Sequence, residues 1–321
     1  MITRAAARLA QILALTLTLA LAALASLPQP ARADPPAQLI GSLTLTHPGK
    51  WFGGFSGLAM APDGGSALLI TDRGRWARVR LERQADGRLI GAQGWKSARL
   101  LGTDGAALPR ERTDSEGLAL LPDGRICISF ENIARVECRD RIDGVPTIVP
   151  GVREFEGMPV NGSLEALAVD EQGALYTIPE NAPARDGRIP VYRRQDDSWS
   201  VAFHLPAQGG FRPVGADILE GQLYVLLRSF GPLGFQSRLM RLPLAGGVVE
   251  RLMQTGPGVH DNLEGLSVWR DGDGALVASM IADDNQNWFQ RSEIVEYRVP
   301  EPGRVEGALP PSFCEGLPRG T

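Results

Sequence analysis

The sequence predicts an all-β chain folded as a β-propeller, and three observations carry that reading. A motif recurs as "FSGLAMAPDGGSALLITDRG" (55–74), "DSEGLALLPDGRICISFEN" (114–132), "SLEALAVDEQGALYTIPEN" (163–181) and "DNLEGLSVWRDGDGALVASMIADDN" (261–285), with a weaker copy, "VGADILEGQLYVLLRSFG", between the last two. Aligned on the residue before Gly-Leu or its equivalent (Ser56, Glu116, Glu165, Gly215, Glu264), the copies are spaced by 60, 49, 50 and 49 residues. Beyond the N-terminal segment no ten-residue stretch carries a helical period.

Each copy reads in the same order. An apolar strand meets a turn, built on Asp-Gly at 63–64, 123–124, 271–272 and 273–274 and on "EQG" or "EG" elsewhere. A second, β-rich strand follows ("ALLIT", "ICISF", "ALYTI", "LYVLL", "ALVAS"), then a more polar strand that alternates, such as "RLMRLPL" or "EIVEYRV". Units of this size with three or four antiparallel strands are propeller blades. One blade cannot bury both faces of its sheet, whereas a ring buries each face against the next. The last unit, 261–299, shows only three strands, and "QLIGSLTLTH" at 38–47 is expected to supply the fourth and close the ring. Five copies are visible, with room for a sixth in the longer first or second interval; two stacked β-sandwiches are the alternative. The propeller domain is expected over 38–299, followed by a Pro/Gly-rich tail at 300–321.

The N-terminus reads as a targeting segment. Arg4 and Arg8 precede an apolar run from Ile12 to Leu27, and "ARA" at 31–33 fits a cleavage site. With no adjacent arginine pair, Sec-type export to the periplasm or the medium is expected, with cleavage after Ala33; a retained anchor is the alternative reading. Removing 1–33 takes away three arginines and leaves 30 basic against 37 acidic residues, about −7. That balance argues against nucleic acid as a partner, which needs a basic footprint. No later stretch is long enough to cross a membrane, and a monomer is expected. If Asn132 and Ile133 turn a hairpin, Cys127 faces Cys138 at disulfide distance, leaving Cys314 as the odd cysteine.

Fold symmetry gives the acids a chemical meaning. Glu116, Glu165 and Glu264 begin the first strand of three blades, and Asp72-Arg73, Glu131-Asn132, Glu180-Asn181 and Asp284-Asn285 end the second strand, with Arg228-Ser229 in the fourth copy. A hairpin puts both sets at one end, so they converge on one mouth of the channel. Converging carboxylates with oxygen donors and no His or Cys spacing point to a hard cation, Ca²⁺ before Zn²⁺. The expected metal ligands are Asp72, Glu116, Glu131, Glu165, Glu180, Glu264, Asp284 and Asn285. In the alternative reading, acids beside Gly bond backbone N–H groups of the next turn and hold no ligand. No Gly-x-Ser-x-Gly motif exists, and a Ser56–His260 pair is the one serine-nucleophile arrangement the repeat allows.

Taken together, "FGGFSGLAMAPDG…LLITDRG", "DSEGLALLPDGRICISFEN", "SLEALAVDEQGALYTIPEN" and "DNLEGLSV…IADDN" resemble the exported bacterial phytase-like proteins described as esterase-like activity of phytase, over about residues 40–299. The resemblance implies a propeller with phosphoesterase or esterase activity and carries over Asp72, Glu116, Glu131, Glu165, Glu180, Glu264 and Asp284 with Asn132, Asn181 and Asn285. Propeller phytases hold Ca²⁺ on clustered carboxylates. Here the mouth is acidic with Arg73 and Arg228 as its clear cations, a poor match for phytate itself.

The expected function is therefore metal-assisted hydrolysis of a small phosphoester or carboxylic ester. Glu165 and Glu264 are the candidate general base, and Arg73 and Arg228 stabilise the developing anion. A gluconolactonase-like metal-dependent lactonase and a non-enzymatic binding propeller are the alternatives.

Overall fold

The computed structural model describes residues 36–303 except 182 and 185; the targeting segment, most of the tail and Cys314 lie outside the described residues. Apart from one 3₁₀ turn at Arg110–Arg112 and a single helical turn at Arg153–Glu156, its regular elements are twenty strands. Strand β1 (Gln38–Thr44) comes first, followed by β2 (Phe55–Met60), β3 (Ser66–Thr71), β4 (Arg75–Arg83) and β5 (Leu89–Arg99). The second sheet holds β6 (Ser115–Leu120), β7 (Ile126–Phe130), β8 (Arg135–Arg139) and β9 (Thr147–Val149). The third has β10 (Ala166–Val169), β11 (Leu175–Ile178), β12 (Ile189–Gln195) and β13 (Ser198–Leu205). The fourth has β14 (Arg212–Leu219), β15 (Gln222–Gly231), β16 (Gly234–Pro243) and β17 (Glu250–Gln254); β18 (Asn262–Arg270), β19 (Leu276–Asp283) and β20 (Glu293–Arg298) complete the chain.

Five four-stranded antiparallel sheets result, so the propeller has five blades, and the longer first interval of the repeat holds no sixth. The extra residues of that interval lie in the long β5 and in the 100–114 connection. In the last sheet the order is β1-β20-β19-β18, so the N-terminal strand closes the ring. The inner strands β2, β6, β10, β14 and β18 touch in that order and β18 returns to β2. Arg83 of the first blade clamps Glu296 of the last through two hydrogen bonds, 2.7 and 2.9 Å long, across the closure.

The core follows from this arrangement. Buried apolar residues form five clusters, each filling the seam between adjacent blades: Ile70 and Leu100 meet Leu118, Ile128 and Phe130, for example, and Leu226 and Leu239 meet Leu263, Leu266 and Met280. Both faces of each inner strand are therefore apolar, which is why the repeats read as short continuous hydrophobic runs. The Asp-Gly stretches are turns: Asp63, Asp123 and Asp271 accept hydrogen bonds from the backbone N–H groups of Gly65, Arg125 and Asp273.

Cys127 lies directly opposite Cys138 on β7 and β8, with Cα atoms 4.1 Å apart, and the two form a disulfide. Both half-cystines are buried in the seam between the second and third blades.

Inner strands approach backbone to backbone at the glycine of each x-Gly-Leu motif. A Cβ on Gly57 would meet the Glu116 carbonyl oxygen at 2.9 Å, on Gly117 the Leu167 nitrogen at 2.6 Å, on Gly215 the Glu264 carbonyl oxygen at 2.3 Å and on Gly265 the Leu58 nitrogen at 2.8 Å. Gly215→Ala is expected to cost about 1–3 kcal/mol through overpacking against a backbone atom that cannot move alone. Denaturant titration checks it, and an unchanged midpoint would show that the inner strands can spread. Replacing both half-cystines by alanine is expected to lower stability by about 2–3 kcal/mol. The comparison is the melting temperature of oxidised, reduced and substituted protein.

Candidate active site at the channel mouth

Each blade delivers side chains to the same end of the channel by two devices. The first is a register shift in the inner hairpin just before the glycine: between Phe55 and Gly57, Ser115 and Leu118, Pro213 and Gly215, and Leu263 and Gly265. A bulge adds one residue to a strand and re-aims its side chain. It presents Ser56, Glu116, Val214 and Glu264, and in the third blade Glu165 holds the same place ahead of Ala166. The alignment of the weak copy is thereby corrected: Val214, not Gly215, is the equivalent of the glutamates, and Gly215 matches the motif glycine.

The second device is a residue near the mouth end of the second strand. Phe55 pairs with Thr71, Ser115 with Phe130 and Leu263 with Ala282, so Asp72, Glu131 and Asp283 are equivalent. Glu180 and Arg228 complete the set by the same count from the Ala166–Ile178 and Gly215–Leu226 pairs. Asp283 therefore takes the position that sequence spacing assigned to Asp284, because the last hairpin reaches Ala282 one residue before the acidic pair begins. Asp284 instead accepts hydrogen bonds from Gly54 N–H at 3.0 Å and the Ser292 hydroxyl at 2.8 Å, fixing the loop of the first blade. Asn285 is exposed, in a left-handed conformation (φ 46°), and only its backbone N–H reaches the site's edge, at Asp283. Its side chain is not brought to the cluster.

Ten ring positions thus hold seven carboxylates (Glu116, Glu165, Glu264, Asp72, Glu131, Glu180, Asp283) and a single arginine, Arg228. Arg228 donates to Glu180 at 2.9 Å, to the Asn262 carbonyl oxygen at 2.8 Å and to Glu264. Burial opposes its charge, but Glu264, Glu180 and Glu165 outweigh burial and raise its pKa. Arg228 is the internal counter-ion of the ring. Arg73, by contrast, leaves its side chain 54% exposed, 4.0 Å from Asp72, as a cation on the rim. Asn181 donates to Glu180 and Asn132 to Asp114, each orienting an acid.

Burial and mutual repulsion raise the carboxyl pKa values. Glu116 is pushed well up by burial, then by the charges of Glu165 and Glu264. Burial does the same to Glu165, which also shares a hydrogen bond with Glu131. Glu131 in turn accepts from the backbone N–H groups of Gly162 and Ser163. Burial lifts Asp72 to about 7 and Asp283 to about 8, with the nearby Glu264 adding to both. Glu264 is raised by burial, an effect that Arg228 offsets in part.

The tightest grouping is Asp114, Glu116 and Glu131, each offering an oxygen within 4.8 Å of the others. Asp114 and Asp283 were not singled out from the sequence. Asp114 had a signal: it stands two residues before Glu116, as Asn262 stands before Glu264, and Asn262 donates to Glu264 at 2.8 Å. Ser56 and His260 do not pair. The Ser56 hydroxyl donates to the Ser115 carbonyl and the His260 ring bonds the Tyr297 hydroxyl at 2.7 Å.

Below the acids the glycine belt narrows the channel to a void of about 10 Å³ lined by Gly57, Gly117, Gly215 and Gly265. The opposite face holds a larger apolar bowl of about 450 Å³. Its acids are satisfied by backbone: Asp217 accepts from the N–H groups of Ile218 and Val268 at 2.8 and 2.7 Å, and Asp170 from those of Gln172 and Ala174 at 3.1 and 2.8 Å. Titratable chemistry is concentrated at the other end.

The fold and the mouth define a five-bladed propeller with a carboxylate-lined channel entrance. The chain belongs to the phytase-like family described as esterase-like activity of phytase, whose profile matches residues 50–286. Among solved structures it is similar in fold to an α-L-arabinofuranosidase from Podospora anserina in complex with cellotriose (TM-score 0.52, 11% identity, 83% of this chain and 98% of that one). The catalytic domain of the Coprinopsis cinerea GH62 α-L-arabinofuranosidase is similar as well (TM-score 0.50, 11% identity, 83% and 97% covered). At such identity the likeness shows the fold alone. The curated proteins returned no match.

Asp283 gives the site a pH signature. From its ordinary value of 3.8 to about 8, the folded protein keeps a proton on Asp283 that the unfolded chain has released. Stability therefore falls as pH rises through that window. Asp283→Asn is expected to flatten the slope of unfolding free energy against pH between 5 and 8 by at most ~1.4 kcal/mol per unit. Equal slopes in the two proteins would mean that Asp283 is ionised when folded.

Proposed function

We propose that the acidic mouth is the active site of a metal-assisted hydrolase acting on a phosphoester or carboxylic ester. The observation that supports it most is the convergence of Asp114, Glu116 and Glu131 oxygens within 4.8 Å in a ring that carries one committed cation. The donor set fits a hard divalent ion, Ca²⁺ first: it is all oxygen, its members repel one another, and Asp72 beside it keeps one buried oxygen without a partner. Asp114, Glu116 and Glu131 would hold the ion, with Asp72, Glu165, Glu180, Glu264 and Asp283 around it. Bound there, Ca²⁺ supplies Lewis-acid polarisation of an ester oxygen.

The chain's own residues do the rest. Burial and a hydrogen bond to Glu131 raise the pKa of Glu165, which favours its protonated form and suits it to pass a proton to a leaving oxygen. Arg228 balances Glu264 and Glu180 and positions them. Arg73, on the rim, is the cation free to meet negative charge that develops on the substrate. The glycine belt blocks passage along the axis, so substrate enters and product leaves by the same mouth. A location outside the cytoplasm goes with this reading, and the Cys127–Cys138 disulfide supports an oxidising compartment.

Calorimetry with Ca²⁺ on the purified protein tests the reading. Binding is expected, weakened at least tenfold in Glu116→Gln and in Asp114→Asn, with hydrolysis of p-nitrophenyl esters or phosphate lost to the same degree. If no divalent ion binds and no ester is cleaved, the mouth acids are scaffold and the hydrolase reading falls.

A further inference from the structure

The mouth has one sector that the ring chemistry leaves unexplained. Among the described residues the exposed aromatic side chains are Phe230 (73%), Trp288 (94%) and Phe289 (66%); Phe230 stands at the mouth end of the β15–β16 hairpin of the fourth blade, and Trp288 and Phe289 on the β19–β20 loop of the fifth. Leu233, in that hairpin, and Val259, in the 255–261 connection, are also exposed. These loops are direct extensions of the ring. Phe230 lies two residues past Arg228, Trp288 five past Asp283, and Val259 five before Glu264.

They are also tied together. Gly258 N–H donates to the Phe235 carbonyl at 2.8 Å, and a Cβ on Gly234 would meet Gly258 at 3.4 Å, so the 229–235 hairpin and the 255–261 connection lie against one another. Asp261 then binds the next loop, accepting from the Gln290 amide at 3.0 Å and Arg291 N–H at 2.9 Å. Phe230 stacks near Phe235 with ring centres 4.8 Å apart, and Trp288 meets Phe289 edge to face at 5.8 Å.

Three fastened loops holding five large apolar side chains in water is not what a solvated rim requires. The loops run on from the strands that carry Arg228, Glu264 and Asp283, so that surface stands at the same end of the blades as the carboxylates. A polyanion approaching the same entrance meets seven acids, an arginine already engaged by Glu180, Glu264 and Asn262, and the rim cation Arg73, which is too little positive charge to balance several phosphates. An uncharged ester with an alkyl or aryl group meets polar chemistry at the ring and apolar surface at the rim.

We infer that Phe230, Leu233, Val259, Trp288 and Phe289 form a subsite for the apolar part of the substrate, so the substrate class is an amphiphilic carboxylic ester and not a polyphosphate. This inference rests on the hydrolase reading for the reaction but not for the binding. The side chains act by removing alkyl or aryl surface from water next to the reacting bond, holding the ester over the ring acids.

The experiment compares the full chain with Trp288→Ala/Phe289→Ala and with Phe230→Ala, all exposed positions outside the blade seams. With Ca²⁺ present, kcat/KM is measured on p-nitrophenyl acetate, butyrate and octanoate and on p-nitrophenyl phosphate. The expected result is a rise of at least tenfold from acetate to octanoate. The double variant is expected to lose about tenfold on octanoate, mainly in KM, with acetate unchanged within twofold. No dependence on acyl length, equal losses on acetate and octanoate, or a preference for the phosphate would overturn the subsite.

A second arm titrates N-octylacetamide, a stable amide, by calorimetry. Binding weakened about tenfold in the double variant supports the subsite even if no ester is hydrolysed, and then only the hydrolase reading fails. Ester hydrolysis without any binding of the amide, or a dimer or vesicle association that the double variant abolishes, removes the subsite and leaves the hydrolase reading standing.

Discussion

Contact between the backbones of five inner strands is the constraint on which this molecule depends. At Gly57, Gly117, Gly215 and Gly265 the neighbouring strand comes so close that a methyl group has no room. That spacing pinches the channel, and in the same four blades the register shifts just before the glycine. The bulge beside each close approach is the device that points Ser56, Glu116, Val214 and Glu264 into the mouth. The packing that stabilises the fold and the geometry that makes the site meet at these positions.

The resulting ring is electrostatically expensive. Carboxylates this close together oppose one another's ionisation, and burial lifts Glu116, Glu165, Asp72 and Asp283 above their ordinary values. Three things reduce the repulsion. Arg228 takes the second-strand position that an acid holds in the other four blades and binds two of the ring's glutamates; Glu131 takes two backbone N–H groups; and burial favours the neutral form of Glu116 and Glu165. A hard cation on Asp114, Glu116 and Glu131 would be the fourth, and the cheapest for the fold, since it lets the carboxyls ionise where they stand.

Stability and chemistry are kept apart in space. Apolar seams run between the blades, with the disulfide in one of them and the Arg83–Glu296 clamp at the closure. The bowl on the far face is largely apolar, and its acids Asp170 and Asp217 each accept two backbone N–H groups. Only at the mouth do unsatisfied charge, a free rim cation and exposed aromatic rings occur together.

Much of this was legible in the residues alone. Five copies of one strand–turn–strand pattern specify the blades, a three-stranded last copy specifies closure by residues 38–44, and the opposition of Cys127 and Cys138 follows from hairpin arithmetic. These are local or periodic properties, and local geometry decides them. Register was not legible. A bulge adds a residue without any mark in the sequence, so Gly215 stood in for Val214 and Asp284 for Asp283, each wrong by one position. Nor could spacing separate Arg228 from Arg73, two arginines in near-equivalent places, because one meets Glu180 and Glu264 from other strands while the other stands half-exposed beside its own neighbour Asp72. The sequence by itself determined the repeat, the ring and the end at which the acids gather. Which oxygens come within reach of one another, and which charges are already spent, was decided by the closure of five blades around an axis that no single blade contains.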